Sequence, residues 1–91
     1  MQDEIELIIA RGHRAADLLQ DDTFNDVVKE LKLSNYEAWL SSETAEQREE
    51  LYLRTAALDD IVEVLMARVS AGQYQQSLLN DQNEERYNDD D

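Results

Sequence analysis

The longest unbroken hydrophobic pattern in the chain lies at residues 44–71. Leu51, Thr55, Leu58, Val62, Leu65 and Val69 follow one another at alternating spacings of four and three, which lines them along one seam of an α-helix. Ala56, Ile61 and Met66 flank that seam and widen it. Thr44 and Gln47 have the spacing of a capping box, in which hydroxyl and amide each satisfy a backbone N–H of the first turn. Glu46, Glu49 and Glu50 then place negative charge near the positive end of the helix dipole. Gly72 follows Arg68 and predicts a stop, since glycine readily takes the left-handed conformation that ends helices.

Two shorter patterns precede this one. At residues 4–19, Ile5, Ile8, Gly12, Ala15 and Leu19 repeat at three and four, broadened by Ile9 and Ala16. Glycine inside a helix costs about 1 kcal/mol relative to alanine, so Gly12 beside Ala15 and Ala16 predicts a small-residue patch that a bulky side chain such as Trp39 or Phe24 could approach. Asp21, Asp22 and Thr23 interrupt the period, and Asp22 or Thr23 is the expected cap of a second helix at 24–40. Its core face reads Phe24, Val27, Val28, Leu31, Ala38 and Trp39, with Asn35 on the same stripe. Leu33, Tyr36 and Leu40 form a second apolar row offset around the helix, and are the candidate partner interface. Ser41, Ser42 and Glu43 make the second connection.

Short connections put successive helices antiparallel. Past Gly72 the period decays, and from Asn80 the chain is polar and ends in Asn88-Asp89-Asp90-Asp91, too polar to offset its ordering entropy. The expectation is an all-α fold: a three-helix antiparallel bundle at 1–79 with a long third helix and with Trp39 and Leu58 in the core, followed by a disordered acidic C-terminal tail at 80–91.

Composition narrows the function classes. The 91 residues contain no proline, two glycines and no cysteine, which suits helices and excludes disulfides, thiolate zinc sites and cysteine nucleophiles. Eight Lys and Arg against 22 Asp and Glu give a formal charge of −14. A field of that sign repels phosphate backbones and anionic membranes, so direct nucleic-acid binding is disfavoured. No apolar run approaches the roughly 18 residues that a membrane span needs. Gln2, Asp3 and Glu4 precede the first apolar run where a secretory signal would carry basic residues, so a soluble intracellular protein is expected.

Arg11, His13 and Arg14 form the basic cluster of the chain. One reading makes it a receiver for an acidic partner or a phosphate. The plainer reading is a solvated helix face whose arginines pair with Asp17 or Asp3. A lone histidine is a poor metal ligand. No glycine-rich phosphate loop or nucleophile elbow occurs, and the adjacent carboxylate pairs point in different directions on a helix. Asp59 and Glu63, four apart, could hold a hard cation only weakly. The chain is expected to be a non-enzyme with no cofactor, no metal and no catalytic residue.

The stretches Arg11-Gly12-His13-Arg14-Ala15-Ala16 with Leu18-Leu19, Tyr36-Glu37-Ala38-Trp39, and Glu46-Gln47-Arg48-Glu49-Glu50-Leu51-Tyr52 followed by Ala57-Leu58-Asp59 are helix-packing patterns. In their order from Ile8 to Gly72 the chain resembles small, acidic, all-helical proteins encoded by tailed bacteriophages near head and packaging genes. The resemblance implies a phage accessory protein that acts by contact in head assembly or DNA packaging, in the host cytoplasm or associated with the virion. It carries no catalytic or ligand-binding residue across. The partner expected is thus a phage structural or packaging protein, a host protein or a further copy of the chain. The alternative is an acidic mimic of nucleic acid that inhibits a host polymerase, nuclease or defence complex.

Overall fold

The computed structural model describes residues 2–89, with side chains described through Gln82. It contains three α-helices and, among the described residues, no strand: α1 spans Gln2–Gln20, α2 Asp22–Leu40 and α3 Ala45–Asp89. The all-α class, the helix order and the long third helix agree with the sequence pattern. The side chains of the expected tail beyond Gln82 lie outside the described residues.

Helix boundaries follow local chemistry. Asp21 alone separates α1 from α2, and its Oδ1 accepts the Phe24 backbone N–H at 2.8 Å, so the cap is Asp21 and not Asp22 or Thr23. The earlier position wins because Asp21 has an extended backbone, as an N-cap requires, while Asp22 is already helical. Asn25 donates its side-chain amide to the Leu19 carbonyl at 2.9 Å, in the last turn of α1, and to the Asp21 carbonyl at 3.0 Å, which also accepts the Asn25 backbone N–H at 3.0 Å. At the start of α3 the expected capping box forms: the Gln47 N–H donates to Thr44 Oγ1 at 3.1 Å. Gln47 Oε1 in return accepts the N–H of Thr44 at 3.4 Å and of Glu43 at 2.8 Å.

Gly72 does not end α3. Its backbone stays helical, and no glycine among the described residues has a positive φ. The alternation of four and three continues unbroken through Gly72, Gln76 and Leu79, all buried or half-buried, as are the six seam residues before them.

The chain divides into two compact units, Met1–Asp17 with Leu65–Asp91, and Leu18–Val64. In the first, α1 packs antiparallel on α3 at a crossing of two glycines. A methyl group built on Gly12 would meet the Arg68 carbonyl oxygen at 2.8 Å and Gly72 Cα at 3.0 Å. One built on Gly72 would meet Gly12 Cα at 3.1 Å and the Ile8 carbonyl oxygen at 3.3 Å. The small-residue patch on α1 therefore receives the backbone of α3 and not Trp39 or Phe24: two glycines permit a closer approach, and more dispersion contact, than a ring against one. Gly12, Gly72 and Ala15 are the buried residues among those described.

In the second unit α2 runs antiparallel to α3. Lys32 Nζ pairs with Asp59 Oδ1 at 2.8 Å, and Asn35 Nδ2 donates to Thr55 Oγ1 at 3.3 Å, so stepping forward on α2 steps back on α3. Phe24, Val28 and Asn35 from α2 and Leu51, Thr55, Leu58 and Val62 from α3 are half-buried along this seam. The amide–hydroxyl bond places a polar pair inside it, a device that fixes register because any shift strands both groups. Leu58 keeps its seam position. Trp39 does not enter a core: it stands 41% exposed, and Val27, Leu31 and Ala38 of the expected core face are exposed as well. Two facing helices cover only a narrow stripe of each other, so the shoulders of a broad apolar face remain open.

Candidate interaction surface

The second unit exposes different chemistry on the two sides of its seam. One side is marked by the Lys32–Asp59 ion pair and by a cavity of about 340 Å³ lined by Lys32, Asn35, Tyr36, Trp39, Leu51 and Tyr52. Tyr36 and Tyr52 are exposed, as is Trp39, so aromatic faces remain in water there. Leu33 and Leu40, which share the offset row of α2 with Tyr36, are exposed too. All three residues of the candidate interface are therefore accessible.

The other side is marked by a cavity of about 310 Å³ whose lining includes Ala38 and Ser41 from α2 and Gln47, Glu50 and Arg54 from α3. From those residues two rows run away from the loop at spacings of three and four. On α2 the row is Ser41, Ala38, Ser34, Leu31 and Val27, and on α3 it is Glu50, Arg54, Ala57, Ile61 and Val64. Because the helices are antiparallel, the rows face each other and end in apolar pairs. Val27 and Leu31 are each 45% exposed, Ile61 52% and Val64 55%. The result is an open trough with small residues in the middle and branched aliphatic residues at the far end. Its cation, Arg54, is engaged by Glu50 at 2.8 Å. Further round from the trough stand Glu30 and Glu37 on α2, and Glu46 with the exposed Leu53 on α3.

The trough was not legible as a site in the sequence, where Val27 and Leu31 read as core and Ile61 as a flank of the seam. Exposure of Val27, Leu31, Ile61 and Val64 is a tertiary fact that periodicity does not carry. For Gly72 a signal did exist, since the four-three alternation already ran through it.

In the first unit Arg11, His13 and Arg14 are all exposed. His13 borders a cavity of about 270 Å³ with Gly12, Ala16, Val69, Gly72 and Gln76, formed where the glycine crossing leaves no side chains to fill the space. The ion pairs among the described residues are Lys32–Asp59 and Arg54–Glu50, so the expected pairing of Arg11 or Arg14 with Asp3 or Asp17 is not formed. Asp59 is committed to Lys32 rather than to a cation shared with Glu63. Among the described residues no group of three or more His, Cys, Asp or Glu converges as a metal site, and no helix is long and apolar enough to cross a membrane. What the arrangement offers chemically is contact: aromatic and aliphatic side chains held on stiff helices with acidic margins. Comparison of the chain with protein-family models, curated proteins and solved structures finds no match.

Proposed function

We propose that the chain is a non-enzymatic helical module that binds other proteins, serving as a bacteriophage accessory protein in head assembly or DNA packaging. The observation that supports the binding role is the exposure of Val27, Leu31, Leu33, Tyr36, Trp39, Leu40, Tyr52, Leu53, Ile61 and Val64 within one compact unit. Large apolar side chains exposed in this number on a small unit mark contact surface. The phage setting rests on the helix-packing pattern around Gly12, Trp39 and Leu51. The formal charge of −14 favours a second reading, a nucleic-acid mimic seated in the basic groove of a host enzyme.

Salt separates the two readings. Exposed charge pairs are screened over about 8–10 Å at moderate ionic strength, whereas apolar burial is not weakened by salt. Tagged protein is used as bait in infected cells and washed at low and high salt, and retained proteins are identified by mass spectrometry. A head or packaging protein retained at high salt is expected. The same is expected after deletion of residues 80–91, which removes Asp81, Glu84, Glu85, Asp89, Asp90 and Asp91 against Arg86. Retention of a host polymerase or nuclease that is lost at high salt, and lost on truncation, overturns the assembly role.

A further inference from the structure

We infer that the trough between Val27–Leu31 of α2 and Ile61–Val64 of α3 is a docking site for one basic amphipathic helix of another protein, which completes a three-helix pack. This inference rests on the binding role proposed above and names the partner's chemistry.

Shape is the first argument. Two antiparallel helices with parallel rows of apolar residues on one shoulder form the groove into which a third helix fits, its residues at three and four spacing meeting both rows. Ser34, Ala57 and Ala38 keep the middle shallow, so an incoming helix can approach closely there while larger side chains bury Leu31 and Ile61. The first helix of this chain has its own apolar stripe committed elsewhere, through Gly12 and Ala15.

Charge decides the occupant. Glu30 and Glu37 border the trough on α2, Glu46 borders it on α3 near the exposed Leu53, and Arg54 within it is already paired with Glu50. Lys32, by contrast, lies on the opposite side of the seam, paired with Asp59. A helix with an apolar stripe flanked by Lys or Arg meets carboxylates along both edges. A second copy does not, because a twofold contact sets the same patch against itself and brings the acidic margins together.

The test uses the full chain and a fluorescein-labelled, 18-residue helical peptide with leucine on one face and lysine on the other, followed by anisotropy. Binding is expected to survive Leu33→Ser with Leu40→Ser and to weaken about tenfold or more with Leu31→Ser and Ile61→Ser, the cost of truncating central anchors. Circular dichroism should show unchanged helicity, because the replaced side chains are exposed. As a second variant set, Glu30→Gln, Glu37→Gln and Glu46→Gln should weaken binding and flatten its salt dependence without touching the apolar rows. Equal binding by a peptide with serine in place of leucine, equal loss with the Leu33 and Leu40 variant, or no binding overturns the inference. So does sedimentation showing a dimer that Leu31→Ser and Ile61→Ser disperse, since the occupant is then a second copy. Each of these results leaves the infected-cell capture unaffected, so the two ideas fail separately.

Discussion

Replacing Gly12 by alanine puts a methyl group where the structure has only backbone. At an open site in a helix this change gains about 1 kcal/mol, because glycine has the larger conformational entropy to lose. At Gly12 the new Cβ would stand 2.8 Å from the Arg68 carbonyl oxygen and 3.0 Å from Gly72 Cα. Neither atom can rotate away, as the end of a side chain could, so α1 and this part of α3 must separate. Overpacking of this kind costs about 1–3 kcal/mol, and separation also loosens Ala15, the buried apolar side chain beside the crossing. The propensity gain offsets part of that, leaving a net loss of up to about 2 kcal/mol. For a domain of this size each kcal/mol lowers the melting temperature by about 4–8 °C. Gly72→Ala meets longer contacts, 3.1 Å to Gly12 Cα and 3.3 Å to the Ile8 carbonyl oxygen, and should come out near neutral. The double variant should be worse than the sum, since both methyl groups compete for one gap. Ser70→Ala, at an exposed position of α3, is the control and should gain a few tenths of a kcal/mol. Thermal melts followed by circular dichroism supply the readout. A Gly12→Ala protein that melts at or above wild type refutes the close crossing.

Other perturbations probe the remaining elements. Trp39→Ala, which would cost about 3–5 kcal/mol in a core, should cost only about 1–2 kcal/mol at its 41% exposure, and acrylamide should quench its fluorescence readily; a larger loss with poor quenching puts the ring inside. Thr44→Ala removes the hydroxyl that accepts the Gln47 N–H and should lower stability by about 1 kcal/mol in urea titrations, with Gln47→Ala largely non-additive to it. If Leu33, Tyr36 and Leu40 mediate self-association, sedimentation should show an oligomer, stronger in high salt, that Leu33→Glu with Leu40→Glu disperses at unchanged helicity; a wild-type monomer at high concentration removes that role and leaves a different partner.

The sequence by itself determined the helices and their seams. Period alone places Ile5, Ile8, Gly12, Ala15 and Leu19 on one stripe and Leu51 through Val69 on another, and burial follows both stripes. Capping was legible where two side chains answer each other, as Thr44 and Gln47 do, and less so in a run of three candidate caps, where backbone conformation selected Asp21. The exposed row of Leu33, Tyr36 and Leu40 was legible too, because it lies off the seam. Tertiary structure decided the rest. Whether a glycine ends a helix or admits a neighbour depends on what stands opposite it, and Gly72 has Gly12 opposite. Whether Trp39, Val27 and Leu31 are core or surface depends on how many helices share their shoulder, and one facing helix covers too little of α2 to enclose them. Periodicity reports which residues share a face, but only the packing of other segments determines how much of that face is taken from water.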